Sequence, residues 1–132
     1  MRIFFDTNIL LDVALRRDPH FARSHAILSD AIENHICFLS WHTISNLAYI
    51  LGKLETKEAA QTFIREITKV CKIAPVEHQD LEIAFQHNTG DLEGAMQIAS
   101  AMAVHAETIV TRDPAGFAKS PISLVNPTAS RS

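Results

Sequence analysis

The chain has 132 residues, which suits one domain with enough length to bury a core. Hydrophobic residues make up 47% and charged residues 20%, which excludes a disordered or fibrous chain. A formal net charge of -3 excludes an overall basic footprint for nucleic acid, so any such contact must rest on a local patch.

Cys37 and Cys71 are too few for a disulfide framework and fit a reducing cytoplasm. The N-terminal apolar stretch is too short for a secretory signal, and no apolar run approaches the roughly 20 residues that cross a bilayer. The expectation is a cytoplasmic protein with no membrane contact.

Strand-like and helix-like segments alternate along the chain, the pattern of a parallel sheet covered by helices. Ile3-Phe4-Phe5 is a continuous apolar run that stops at Asp6, as a strand covered on both faces does. Residues 8–17 carry Ile9, Leu10, Val13 and Ala14 at helical spacing. Asp18-Pro19 opens a second helix with proline in its first turn and Phe21, Ala22, Ala26, Ile27 and Ile32 on its apolar face.

Ile36-Cys37-Phe38-Leu39 is the second strand. Ser40 caps a third helix with Ile44, Leu47, Ala48 and Leu51 inside, and Gly52 near its end. Thr56 caps a fourth, with Ala59, Ala60, Phe63, Ile64 and Ile67 inside. Residues 72–76 form a weaker strand that Pro75 confines to an edge or a strand end. A helix over 78–86 and a loop at 87–90 follow. Asp91 opens the clearest helix, with Leu92, Ala95, Met96, Ala99, Met102 and Ala103 on one stripe. Residues 108–111 and 122–125 are the last two strands. Residues 1–126 thus form the domain and 127–132 a short polar tail.

This order places three acids on one rim. Every strand of a parallel sheet ends on the same edge, where ligands bind near a switch in strand order. Asp6 ends the first strand and Asp113 follows the fourth. The helix that begins at Asp91 must finish at the opposite edge to feed the fourth strand, so Asp91 starts on the rim with the others. Each acid alone also fits a helix cap, and Asp113-Pro114 is a favoured cap and first-turn pair. Together they form a set of neighbouring anions that repel one another unless a cation compensates. Oxygen ligands without paired cysteines or closely spaced histidines favour Mg²⁺ or Mn²⁺ over structural zinc. Such a site suits phosphodiester hydrolysis.

Phe5-Asp6-Thr7-Asn8, the helix over 40–51, Asp91-Leu92-Glu93-Gly94-Ala95-Met96-Gln97 and Ile109-Val110-Thr111-Arg112-Asp113 occur in this order. The set resembles the PIN-domain nucleases, particularly the VapC-like toxin branch, over nearly the whole chain. The resemblance implies a three-layer α/β/α fold with a five-stranded parallel sheet. It also implies Mg²⁺- or Mn²⁺-dependent cleavage of RNA, a homodimer, and a small antitoxin whose tail blocks the acidic cleft. Asp6 would be the central metal ligand, supported by Asp113, with Thr7, Asn8 and Thr111 holding the metal ligands or the scissile phosphate.

Two positions depart from the pattern. Asn46 stands where PIN nucleases commonly carry glutamate, and Gly94 where an aspartate typically precedes the alanine of the last long helix. Asp91 lies one turn before Gly94 on nearly the same face, about 4.5 Å back along the axis. The sequence therefore assigns Asp6, Asp91 and Asp113 to the metal and Asn46 as a neutral oxygen ligand or water-positioning group. His42, four residues before Asn46, is expected to be packed or solvated. Arg16, Arg17 and Arg23 stand as phosphate contacts or a solvated face, Arg112 as a neutraliser of Asp113, and Trp41 and Tyr49 as core or dimer packing.

The leading expectation is a metal-dependent endoribonuclease of the toxin type. The first competitor is a degenerate PIN domain that binds RNA or a protein partner without cutting, supported by Gly94 and Asn46. A phosphatase with Asp6 as covalent nucleophile is weaker, because Asn8 cannot donate the proton a leaving group needs.

Overall fold

A computed structural model describes residues 1–127. Five parallel strands stand in the order β3-β2-β1-β4-β5: β1 (Arg2–Phe5), β2 (Ile36–Leu39), β3 (Cys71–Ile73), β4 (Thr108–Val110) and β5 (Ser123–Val125). The chain winds outward from β1 through β2 to β3, then returns to the other side of β1 for β4 and β5. The switch in winding direction therefore lies between β1 and β4, which pair Phe4 with Ile109 and Phe5 with Val110. β3 is an edge strand, and Pro75 follows it where no ladder donor is required.

Alternation along β1 sends consecutive side chains into two cores. Ile3 and Phe5 pack with Leu10, Leu28, Leu47, Leu51 and Ile67 under α1 (Thr7–Ala14), α2 (Phe21–Asn34), α3 (Trp41–Leu54) and α4 (Lys57–Val70). Phe4 packs on the other face with Ile98, Ala101, Ile109 and Phe117, under α6 (Leu92–Ala103). α5 (His78–Gln86) lies against α6 through Ala84, Ala95 and Ala99. Phe4, Phe5, Leu10, Leu39 and Ile98 are fully buried, each contributing about 1.5–3 kcal/mol by leaving water. The three-layer α/β/α expectation holds.

Ser40, Thr56 and Asp91 cap α3, α4 and α6 through their side chains, as their positions before apolar-periodic runs imply. Other details differ. Proline 19 does not open α2, which begins at Phe21, after a cis Asp18-Pro19 bond and a turn through His20. The buried face of α2 is Ser24, Leu28 and Ala31, with Ile27 and Ile32 packed beside it as expected, whereas Ala22 and Ala26 lie off that face and are exposed. Ala48 and Leu92 are also exposed, and Trp41 and Tyr49 are 67% and 66% exposed, so neither aromatic belongs to the core. The cysteines are free and buried, facing one another on β2 and β3. The expected tail lies outside the described residues, apart from Pro127.

Candidate active site

Asp6 leaves β1 at the switch point and is the residue before α1. Its backbone N–H bonds the Val110 carbonyl at 3.0 Å, which ties the ends of β1 and β4 together. The side chain is 4% exposed, and both oxygens accept: Oδ1 from Gln97 Nε2 at 2.9 Å and Oδ2 from Thr111 Oγ1 at 2.8 Å. Thr111 Oγ1 in turn accepts the Asp113 backbone N–H at 3.0 Å. One buried hydroxyl thus fixes the spacing between the first acid and the segment carrying the third.

Asp91 and Asp113 meet beside the 3₁₀ turn Pro114–Phe117. Their Oδ2 atoms lie 2.7 and 3.2 Å from the point where a Cβ on Gly116 would stand, so both carboxylates crowd the same glycine. Asp91 Oδ1 accepts the Gly94 N–H at 3.0 Å as the α6 cap, leaving Oδ2 directed at that turn. A Cβ on Gly94 would collide with the Gly116 carbonyl oxygen, so backbone occupies the space that a carboxylate at position 94 would need.

Asn46 is half-buried and donates from Nδ2 to Glu93 Oε1 at 3.3 Å. His42 Nε2 stands 3.9 Å from the same Glu93 oxygen. Burial lowers the His42 pKa, and the negative charges of Glu93 and Asp6 partly oppose that shift. Thr7 and Thr111 are buried, and their hydroxyls serve other protein groups: Thr7 Oγ1 meets Thr43 Oγ1 at 2.8 Å, which meets Ser40 Oγ at 2.8 Å. They brace the rim from within, and of the three residues assigned to phosphate only Asn8 is exposed.

Arg112 and Arg17 are placed differently from expectation, whereas Arg16 and Arg23 are exposed as a solvated face would be. Arg112 does not neutralise Asp113; it forks onto the fully buried Asp12, Nε to Oδ2 at 2.7 Å and Nη2 to Oδ1 at 2.9 Å. Arg17 bonds the same carboxylate at 3.1 Å and the Asn8 carbonyl at 3.3 Å. Arg16 stacks over Phe21. Among the described residues, no Lys, Arg or His side chain pairs with Asp6, Asp91 or Asp113.

Sequence reasoning missed Gln97, Thr43 and Asp12. Gln97 was detectable as a polar residue within the apolar run of α6, one turn after Gly94. Asp12 was detectable as an acid between the apolar residues Leu11 and Val13.

The donor set fits a hard divalent cation in its chemistry. It holds oxygen ligands, acids without cationic partners, and a buried Gln97 Oε1 that has no hydrogen-bond partner beside Asp6. Among the described residues, no three His, Cys, Asp or Glu side chains close around one point as a metal-holding group. Asp91 and Asp113 converge with each other, while Asp6 reaches Asp113 through the Thr111 hydroxyl.

The fold is that of a PIN domain. A PIN-domain family model matches residues 2–115, and the chain belongs to that family. Solved structures with the same fold include VapBC2 from Rickettsia felis, bound to a DNA fragment from its promoter. It has a TM-score of 0.73 at 19% identity, covering 96% of this chain and 98% of that one. VapBC-1 from nontypeable Haemophilus influenzae has a TM-score of 0.75 at 15% identity, covering 98% and 100%. VapC20 of Mycobacterium tuberculosis, a sarcin-ricin loop cleaving toxin, has a TM-score of 0.66 at 13% identity, covering 81% and 86%. No curated protein matches the chain significantly.

Proposed function

We propose that this chain is the ribonuclease toxin of a type II toxin-antitoxin pair, hydrolysing RNA phosphodiester bonds with Mg²⁺ or Mn²⁺ at its acidic rim. The observation that carries this reading is the charge pattern: Asp6, Asp91 and Asp113 have no cationic partner among the described residues, although Arg112 is next to Asp113 in the chain. Asp6, Asp91 and Asp113 would hold the ion, with Asn46 as a neutral neighbour. A bound divalent cation supplies a hydroxide at neutral pH and stabilises the charge that develops on phosphate.

The chain's own residues prepare the site. Gln97 and Thr111 fix the Asp6 carboxylate by two hydrogen bonds, so it does not reorganise when charge develops nearby. Thr111 also sets the position of the Asp113 backbone. The hydroxyl chain Thr7, Thr43 and Ser40 locks the start of α1 to the start of α3, and the exposed Asn8 at that start would meet substrate phosphate.

The VapBC complexes among the structural neighbours support a small antitoxin as partner. No helix among the described residues is long and apolar enough to cross a membrane, and a cytoplasmic toxin is proposed. A homodimer is supported by the unburied apolar surface of α3 and α5, where Trp41, Tyr49, Leu81 and Phe85 are 41–67% exposed. A groove of about 180 Å³, lined by Trp41, Val76, Leu81, Ala84, Met96 and Ala99, runs beside it.

The test is cleavage of RNA by the purified chain with Mn²⁺. The parent cuts and Asp6→Asn does not; a variant as active as the parent removes the proposal. The contact of Gly116 with Gly94 favours one second reading, a PIN domain that binds RNA or a protein without cutting, since backbone fills the place of one acid. RNA binding by the parent that persists without any cleavage in Mn²⁺ is the result expected from it.

A further inference from the structure

Asp12 lies in the second turn of α1 and is completely buried. Besides the two bonds from Arg112 and the bond from Arg17, its Oδ2 accepts from Ser24 Oγ at 2.9 Å. Four donors thus converge on one carboxylate in a low-dielectric setting, where charge-assisted bonds are strong. α1 packs on the Phe5 side of the sheet, whereas α6 and the turn that holds Asp91 beside Asp113 pack on the Phe4 side. Arg112 therefore crosses to the face away from Asp91, although it is flanked by Thr111, which bonds Asp6, and by Asp113.

A guanidinium at position 112 released from Asp12 stays beside Asp113 in the chain and one residue from Thr111, whose hydroxyl bonds Asp6. We infer that Asp12 is a positioning residue for the acidic rim: it holds Arg112 and Arg17 on the α1 side, leaving Asp6 and Asp113 free of cations and open to a divalent ion. This rests on the metal reading above.

The test uses the full chain with Mn²⁺ alone as probe, following free Mn²⁺ by electron paramagnetic resonance. Asp12→Asn weakens Mn²⁺ binding at least about five-fold, because a released cation competes for the same carboxylates. Asp12→Asn combined with Arg112→Gln returns to within about two-fold of the parent, with both variants shown by far-ultraviolet dichroism to be fully folded at the temperature of the titration, so that a loss of fold does not account for the difference. An Asp12→Asn variant that binds like the parent, or a double variant that stays weak, overturns the inference while leaving the metal reading intact. A parent that binds no Mn²⁺ overturns both.

Should Asp12→Asn fail to fold, Arg112→Gln alone decides. Its Mn²⁺ affinity stays within about two-fold of the parent if Asp12 already cancels the guanidinium, and a tightening of about five-fold or more overturns the inference.

Discussion

The carbonyl oxygen of Gly116 stands where any side chain at position 94 would begin, so Gly94 and Gly116 are fitted to each other. Glycine at 94 costs α6 about 1 kcal/mol against alanine, and the close approach of the 3₁₀ turn is what that cost permits. Gly94→Asp, which would rebuild the acid missing from the family pattern, is therefore predicted to destabilise the fold by about 1–3 kcal/mol through overpacking. Gly94→Ala is predicted to destabilise too, despite its better helix propensity. Urea denaturation of the two variants measures both; an Ala variant more stable than the parent contradicts the packing.

Thr111→Val keeps the side-chain shape but removes the donor to Asp6 and the acceptor for the Asp113 N–H. Leaving these buried groups unpaired costs about 1–3 kcal/mol. The expected outcome is a loss of that size in urea denaturation, with RNA cleavage reduced further than stability alone explains at a temperature where the variant is folded.

Asp12→Ala leaves two guanidinium groups without their shared anion. A fully buried broken pair costs about 3–5 kcal/mol; here the Arg112 and Arg17 side chains are 21% and 37% exposed, so water recovers part of that, and a loss of about 2–3 kcal/mol is predicted. Thermal denaturation at two ionic strengths checks it.

His42 gives the stability a pH dependence of known sign. Burial holds its pKa below the ordinary value of about 6.5 against the opposing charges of Glu93 and Asp6. The folded state therefore favours the neutral ring: its contribution is complete above the unfolded value and is lost as pH falls through the lower folded value. His42→Gln is predicted to lose less stability than the parent between pH 7 and the acid side of that window, measured by urea midpoints across pH.

Trp41 and Tyr49 on α3 are two-thirds exposed, and the proposed homodimer would cover them. Trp41→Ser is predicted to shift the protein from dimer to monomer in light scattering while its far-ultraviolet dichroism stays unchanged. A parent that is monomeric at high concentration contradicts the dimer.

The architecture was readable because strand and helix periods rarely conflict in this chain. Ile3-Phe4-Phe5 ending in Asp6, and the caps Ser40, Thr56 and Asp91, are local signals that tertiary packing left in place. The later start of α2 was not readable, because proline at 19 fits a helix start as well as the turn it occupies. At the site, topology placed the three acids on one edge, but the partners of each side chain depend on angles that spacing does not carry. Arg112 is the clearest example: adjacency suggested Asp113, whereas alternation at the strand end sends it to Asp12 on α1. Gly94 likewise read as a missing ligand in isolation, and its reason lies in Gly116, twenty-two residues further along the chain.

The claim that the rim around Asp6 is a divalent-cation site is tested most directly by Mn²⁺ titration of the full chain, parent against Asp6→Asn, with both variants shown to be folded. The account predicts saturable binding by the parent at millimolar or lower Mn²⁺ and at least about ten-fold weaker binding by the variant, since one charge is removed from an oxygen-ligand site. A parent that binds no Mn²⁺ in that range, or a variant that binds as tightly as the parent, contradicts it.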